Sequence, residues 1–475
     1  MSDAAPERIH PNVTLAVLSV AGLAYSVLSS AVVPALPTIQ HSLHTSETGV
    51  TWLLTGYLLS ASVGTAIIGR LGDMYGKERL LVWTLAILSV GTLLAAVAHT
   101  LPLLIVARVI QGLGGGIFPL AFGIIRDEFP REKVAGSIGL MSAILGIGAG
   151  VGIVAGALVV EHLSWNWLFW APLVVILVAT FCTWRFVPES PVRVPGRINW
   201  LAAALMGLGI STVLVAVSET TAWGWVSART LLLLAAGLLL CVAWVAVEVR
   251  SREPLIDMTL MRIRGVWTAN VAAFLLGAGM YASFVVFPQF AQLPKSTGFG
   301  FGASVVVSGL YLLPSTLGMV IVGFAAGSIA NRFGSKPALV VGSAITAGAF
   351  GFIAAAHGHP YDMLISAGLM GVGIGLAFAA LGNLIVQAVS DHQTGVAGGM
   401  NTVMRTVGGA LGGQLTATLL TSHTRNGLPT VTGFTASFAM STGFLIVCTL
   451  AALLVPSRRA SVSTVVELEP VSDAA

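Results

Sequence analysis

The chain has 475 residues, of which 56% are hydrophobic and 9% charged, with a formal net charge of +4. Soluble domains carry about 25% charged residues, so a chain of this length and polarity cannot cover a water-facing surface and has to face lipid. The three cysteines, Cys182, Cys241 and Cys448, lie far apart inside apolar stretches, which suggests neither a disulfide framework nor a metal site.

Residues 1–11 are polar, with Asp3, Glu7, Arg8 and His10, and an apolar run follows from Val13 to Val33. That run matches the ~20 residues a spanning helix needs and exceeds a signal-peptide core, so it is expected to be retained. Fourteen apolar segments follow one another near 13–34, 49–69, 80–98, 102–125, 134–160, 165–187, 198–218, 229–249, 265–290, 303–330, 337–357, 361–388, 395–421 and 433–456. Inside lipid such continuous runs are helices, because each backbone polar group must be satisfied within its own segment. Barrel strands, which alternate over ~10 residues, are excluded. The predicted fold is an all-α polytopic membrane protein with 14 transmembrane helices. With the N-terminus on the cytoplasmic side, 18 of the 23 Lys and Arg residues fall in inner segments and only Arg229, Lys295 and Arg425 in outer ones. The positive-inside rule then puts both termini, including a tail at 457–475, in the cytoplasm.

The chain also repeats itself. Gly69-Arg-Leu-Gly-Asp73-Met-Tyr-Gly76 aligns with Gly327-Ser-Ile-Ala-Asn331-Arg-Phe-Gly334 at an offset of 258. Gly112, Gly114 and Gly116 align with Gly371, Gly373 and Gly375, and Ala135-Gly136 and Gly146 with Ala397-Gly398 and Gly408, at offsets of 259 and 262. An even number of spans separates the copies, so they share one orientation. The expected organisation is two parallel six-helix halves, residues 1–197 and 265–456, with an inserted helix pair and its loop at 198–264.

These segments resemble the major facilitator superfamily. Gly69-Arg-Leu-Gly-Asp-Met-Tyr-Gly-Lys-Glu-Arg79 looks like that family's loop signature between helices 2 and 3, and Arg108-Val-Ile-Gln-Gly112 is similar to its helix 4 motif. Trp165-Asn-Trp-Leu-Phe169 followed by Pro172 resembles the start of helix 6 in drug exporters, and fourteen helices resemble the drug:proton antiporter branch. Two positions depart from that branch. Leu28 stands where its helix 1 Asp is expected, and Ile153 where its helix 5 Gly-Pro motif has Pro.

An arginine inside the hydrocarbon region marks a function by default, which singles out Arg108. Its permanent charge and five donors suit a carboxylate, a phosphate or a set of carbonyls; it either contacts a ligand or ties its helix to carbonyls of the first one. By the resemblance, helices 1, 4, 9 and 12 line a substrate cavity, which gives Tyr25, Ser26, Ser29, Arg108, Gln111, Asn270, Tyr281, Gln289, Asn383 and Gln387 as its polar and aromatic residues. The resemblance also implies a cytoplasmic gate at Gly69, Asp73, Gly76, Lys77 and Arg79. Gate function is expected of the first copy alone, because Asn331 replaces the acid in the second. Gly146, Gly150, Gly152 and Gly156 on helix 5, with Gly408 and Gly412 on helix 13, permit close helix approach. Arg405, about ten residues into helix 13, is grouped with them as a helix-packing or rocking residue.

None of the 19 acids falls at mid-helix. A cavity holding arginine and no acid favours an anionic or zwitterionic substrate over a lipophilic cation. The expected function is secondary active transport by alternating access: proton-coupled export of a drug-like or secondary-metabolite molecule from a bacterial inner membrane. The alternatives are an organic-anion carrier with Arg108 as the anion contact, or a non-transporting receptor. No phosphate loop, metal cluster or nucleophile constellation points to an enzyme. No cofactor and no nucleic-acid partner are expected; small-molecule substrate, protons and the bilayer are the expected partners of a monomer.

Overall fold

A computed structural model describes residues 11–190, 199–390, 393–425 and 428–456. The tail at 457–475 lies outside the described residues. Fourteen long helices run through them: α1 (Pro11–Ala31), α2 (Glu47–Tyr75), α3 (Lys77–Ala96), α4 in two pieces (Leu101–Gly112 and Ile117–Glu128), α5 (Arg131–His162), α6 (Trp167–Phe186), α7 (Trp200–Ser218), α8 (Ala228–Arg250), α9 (Arg264–Gln292), α10 in two pieces (Val305–Leu310 and Leu313–Phe333), α11 (Ser335–Ala355), α12 (Pro360–Ala388), α13 (Thr394–Ser422) and α14 (Val431–Leu453). Thirteen are long and apolar enough to cross a membrane. The other, α13, has 29 residues and is long enough at ~1.5 Å per residue. Its Gly, Thr and Asn content and Arg405 lower its hydropathy, and it lies against α9, α2 and the second piece of α4 inside the bundle.

The repeat seen in the sequence is a repeat in packing. In the first half α1 lies on α5 and α6, α3 on α4 and α6, and α2 on α4; in the second, α9 lies on α13 and α14, α11 on α12 and α14, and α10 on α12. The seams between halves obey the same exchange, α5 with α10 and α12, and α13 with α2 and α4. Each half has its own apolar core. The repeated loop signature is a helix stop in both copies. The N–H of Gly76 bonds the Gly72 carbonyl at 3.1 Å and that of Gly334 bonds Ala330 at 3.0 Å. Gly76 and Gly334 sit at φ 112° and 85°, a backbone region that other residues rarely enter.

Glycine fixes the helix spacing. A Cβ on Gly152 or Gly156 would strike Ser30 or Ala31 of α1, and one on Gly146 or Gly150 would strike Met319 or Thr316 of α10. So α5 serves its own half with one glycine row and the opposite half with another. In the second half, a Cβ on Gly408 or Gly412 would meet the Phe274 or Ala278 carbonyl of α9 at 2.0 Å.

The inserted pair packs α7 against α8 and lays α7 along α2 and α13. The outer face of α8 stays apolar and open, with Leu232 at 70% and Leu239 at 69% exposure, as expected of a helix facing lipid. Below it the buried Glu248 carboxylate accepts from Trp244 Nε1 at 3.1 Å, Leu255 N at 2.9 Å and Ile256 N at 3.2 Å. This folds the 251–257 loop back so that Leu255 and Ile256 join Ala66 of α2 and Val396, Met400 and Val403 of α13 in one apolar cluster.

Gly408→Leu is expected to force α13 off α9 and lower the detergent thermal midpoint of the purified chain, since overpacking a tight contact costs about 1–3 kcal/mol or more. Gly413→Leu, at a position with nothing within 4 Å of the added Cβ, should leave the midpoint near wild type.

Candidate functional site

Two sites stand out at the seam between the halves: a polar clamp at the face carrying most of the Lys and Arg residues, and a cleft about one turn above it.

The clamp is built from helix ends. Lys77 is fully buried, and its Nζ lies 2.7 Å from Asp127 Oδ2 and 3.7 Å from Asp73 Oδ1. Its stem fits because Gly123 has no side chain: a Cβ there would come within 2.6 Å of Lys77 Cδ. Asp73 reaches the other half, where the first turn of α13 presents the Val396 N–H at 3.4 Å. A carboxylate at a helix N-terminus is held by unsatisfied N–H groups and by the helix dipole. Beside it Gly69 and Gly395 meet backbone to backbone, leaving no room for a Cβ on either. Arg126, at the end of α4, donates to Thr394 Oγ1 at 2.7 Å, Ser390 O at 3.3 Å and Val389 O at 2.8 Å, so one guanidinium holds the end of α12 and the start of α13. The segment after α6 closes the cluster from outside. Ser190 Oγ donates to Asp127 Oδ2, and Glu189 accepts from Glu78 N at 3.3 Å and pairs with the exposed Arg79 at 3.6 Å. Gly76 is required twice, since a Cβ on it would overlap the Glu189 carboxylate.

Lys77, Asp73, Gly69, Gly76 and Arg79 thus share one neighbourhood. Sequence reasoning missed Arg126, Asp127, Thr394, Glu189 and Ser190 there. The run Arg126-Asp127-Glu128 at a span end was the available signal, but it reads equally as an inner-loop charge group. The second copy has a counterpart too: Asn331 Nδ2 crosses to the Glu132 carbonyl at the start of α5, 3.4 Å away.

Arg108 is completely buried and its donors are engaged by protein. Nε bonds Leu53 O at 3.2 Å, Nη1 bonds Gln111 Oε1 at 2.9 Å and Leu28 O at 3.4 Å, and Nη2 bonds Ser29 O at 3.5 Å. The guanidinium lies over the Tyr57 ring at 4.1 Å, and Tyr57 stacks on Tyr25 with centroids 6.0 Å apart. Gln111 passes the network on to Thr92 at 3.2 Å. At Leu28, where the resembled branch carries its acid, a backbone carbonyl takes the place of a carboxylate.

The cleft lies between α4, α5, α12 and α13. It is lined by Phe118, Phe122, Ser142, Leu145, Phe378, Gly382, Ile385, Gly398, Asn401, Thr402 and Arg405. In this conformation it is narrow, about 20 Å³, room for one water molecule. Its lining contains none of the ten residues expected for the cavity, and their positions show why. Ser26 meets α5 at Gly148, and Ser29 Oγ turns back to Ser26 O at 2.7 Å. Asn270 accepts from Asn401 at 3.1 Å. Asn383 bridges to the Ala135 carbonyl of α5 at 3.0 Å. Tyr281 covers Gly409, while Gln289 and Gln387 are exposed at helix ends. Ser29, Asn270 and Asn383 have thus turned to a neighbouring backbone or amide. The cleft's own polar set, Asn401, Thr402 and Arg405, lies one helical turn apart on α13; that i, i+4 spacing is readable in the sequence. Arg405 is half-buried and lies 4.7 Å from the Phe378 ring centre.

The family profile of the Major Facilitator Superfamily matches residues 18–413 and again residues 269–472. The tetracenomycin C resistance and export protein of Streptomyces glaucescens is 29% identical over 427 residues, covering 89% of this chain and 78% of that one. A multidrug resistance protein B homolog of Mycobacterium tuberculosis is 30% identical over 379 residues, 78% of this chain and 69% of that one. Among solved structures, the human organic anion transporter MFSD10 superposes with a TM-score of 0.68 at 14% identity, covering 94% of this chain and all of that one. The proton:xylose symporter XylE superposes at 0.66 and 13%, covering 94% and 96%. At these identities the two structures speak for the fold.

Arg126→Ala is expected to loosen the clamp, because even one lost charge-assisted hydrogen bond is worth about 1.5–3 kcal/mol. With the native cysteines replaced and a reporter placed by Thr402→Cys, a water-soluble maleimide added from the basic face should label at least about tenfold faster in Arg126→Ala. An unchanged rate would mean that other contacts hold that face shut.

Proposed function

The chain belongs to the Major Facilitator Superfamily, and from that premise we propose that it exports a small amphipathic molecule, drug-like or a secondary metabolite, by alternating access around the α4–α5–α12–α13 cleft. It is a multi-pass membrane transporter, not an enzyme. The observation that carries the reading is the placement of the cleft. It lies between the two halves, about one turn from the charge-assisted hydrogen bonds of Asp73 and Arg126 that cross from one half to the other at a single face. A substrate held there is shielded from the clamped side until the clamp parts, and parting it requires only that helix ends separate while the glycine seams let the halves rock.

The positive-inside rule makes the clamped face the cytoplasmic one, in a bacterial inner membrane with both termini inside, and one chain supplies both halves of a monomer. The working division of the chain stays at 1–197, 198–264 and 265–456. The export direction and the substrate class follow the named relatives, a tetracenomycin C exporter and multidrug resistance proteins.

We further propose proton coupling through the clamp. Helix α1 has no acid, and among the described residues Asp73 and Asp127 are the buried carboxylates at the seam. Protonating Asp73 weakens both its pairing with Lys77 and its hold on the Val396 N–H at the start of α13, which favours opening at the cytoplasmic face.

In liposomes with an imposed pH gradient, transport of an amphipathic test compound should move protons the opposite way and stop when a protonophore collapses the gradient. Asp73→Asn should retain compound exchange between equilibrated compartments and lose the proton movement. Transport that proceeds equally well without any proton gradient and moves no protons would overturn the coupling.

A further inference from the structure

The two arginines inside the bundle are in opposite situations. Arg108 has bonds from all three guanidinium nitrogens to carbonyls of α1 and α2 and to Gln111. Arg405 has none: among the described residues no hydrogen bond or ion pair joins it to the protein, and its one ring contact is the face of Phe378. No carboxylate lines the cleft that it enters. An unanswered cation at this depth is costly to keep, and such residues in membrane proteins mark a ligand or ion path.

The surroundings define what would answer it. Phe378 covers one side of the guanidinium, and Phe118 and Phe122 of α4 line the same cleft from the opposite half, 6.4 Å apart as a tilted pair. Asn401, Thr402 and Ser142 add neutral polar groups. Flat apolar walls select planar rings, and a guanidinium fork selects a group with two acceptor oxygens or a localised negative charge. A cationic compound would meet a like charge with no acid to offset it.

We propose that Arg405 is the docking point for an anionic group, a carboxylate, phenolate or enolate, on a planar aromatic substrate whose rings pack against Phe378 and the Phe118–Phe122 wall. The proposal rests on the reading that this cleft is the transport site. It moves the anion contact from Arg108, whose donors are taken, to the second half of the molecule.

The test is equilibrium binding to the purified full chain in lipid nanodiscs, with gluconate replacing chloride so that no small inorganic anion competes. The probes are 1-naphthoate, its neutral amide 1-naphthamide and the cation 1-naphthylmethylammonium. Wild type is expected to bind naphthoate at least about tenfold more tightly than the amide and the cation more weakly than either. Arg405→Gln should remove that preference by weakening naphthoate more than the amide, and Arg405→Lys should keep part of it. Phe378→Ala should weaken naphthoate and amide together. Equal binding of naphthoate and amide by wild type, no binding of naphthoate at all, or a preference that survives Arg405→Gln would each overturn the proposal. The wild-type ratio is decisive even if a variant fails to fold. Because no gradient is applied, a failure of proton coupling or of export in liposomes leaves this readout intact, and the reverse also holds.

Discussion

Inside a lipid-facing bundle an unanswered charge is costly, and this chain answers its buried charges mostly at helix ends. Lys77 is the clearest case: wholly buried, it persists because Asp127 and Asp73 stand on either side and Gly123 leaves room for its stem. Removing one member of such a set leaves an uncompensated buried charge, which is far costlier than never having had the set. Because Asp73 also holds α13, and Arg126 grips α12 and α13 together, this charge balance joins the two halves at one face. The shape of the cleft above it depends on that junction.

The junction can also be undone at tolerable cost. Its contacts are few, polar and confined to helix termini, whereas the apolar core of each half is built almost wholly from its own helices. Glycine recurs where the halves touch along their length: Gly69 lies against Gly395 and Gly136 against Gly327, while Gly146 and Gly150 receive Met319 and Thr316. Small residues at these contacts keep the side-chain interlock shallow. The inserted pair adds a brace at one seam, where Glu248 holds Leu255 and Ile256 against α2 and α13.

Much of the architecture was legible because lipid imposes a strong code. Continuous apolar runs marked the helices, and repeated glycine patterns marked the duplication. The paired helix stops at Gly76 and Gly334 could be read from an eight-residue alignment. The site was less legible, for a physical reason. Polar residues on membrane helices seek partners in any direction, so the presence of Gln111, Asn383 or Ser26 in a span does not say whether it faces a cavity or a neighbouring backbone. Asn383 bonds an α5 carbonyl and Gln111 bonds Thr92. The same ambiguity separates Arg108 from Arg405. Each is a lone arginine in an apolar run, and only the surrounding carbonyls distinguish the tethered one from the one beside the cleft. Arg126 was hidden differently: an arginine at a span end is the commonest kind of basic residue here, and its three bonds to the opposite half come from a loop more than 260 positions away.

The central claim is that the clamped face opens when substrate moves. The most direct measurement is the distance between spin labels at Tyr75→Cys and Gln387→Cys, exposed positions on the two halves beside the clamp, in nanodiscs with and without a transported compound. One short, narrow distance is expected at rest and a second, longer population during turnover. A single unchanged distance while the compound is demonstrably transported would contradict it.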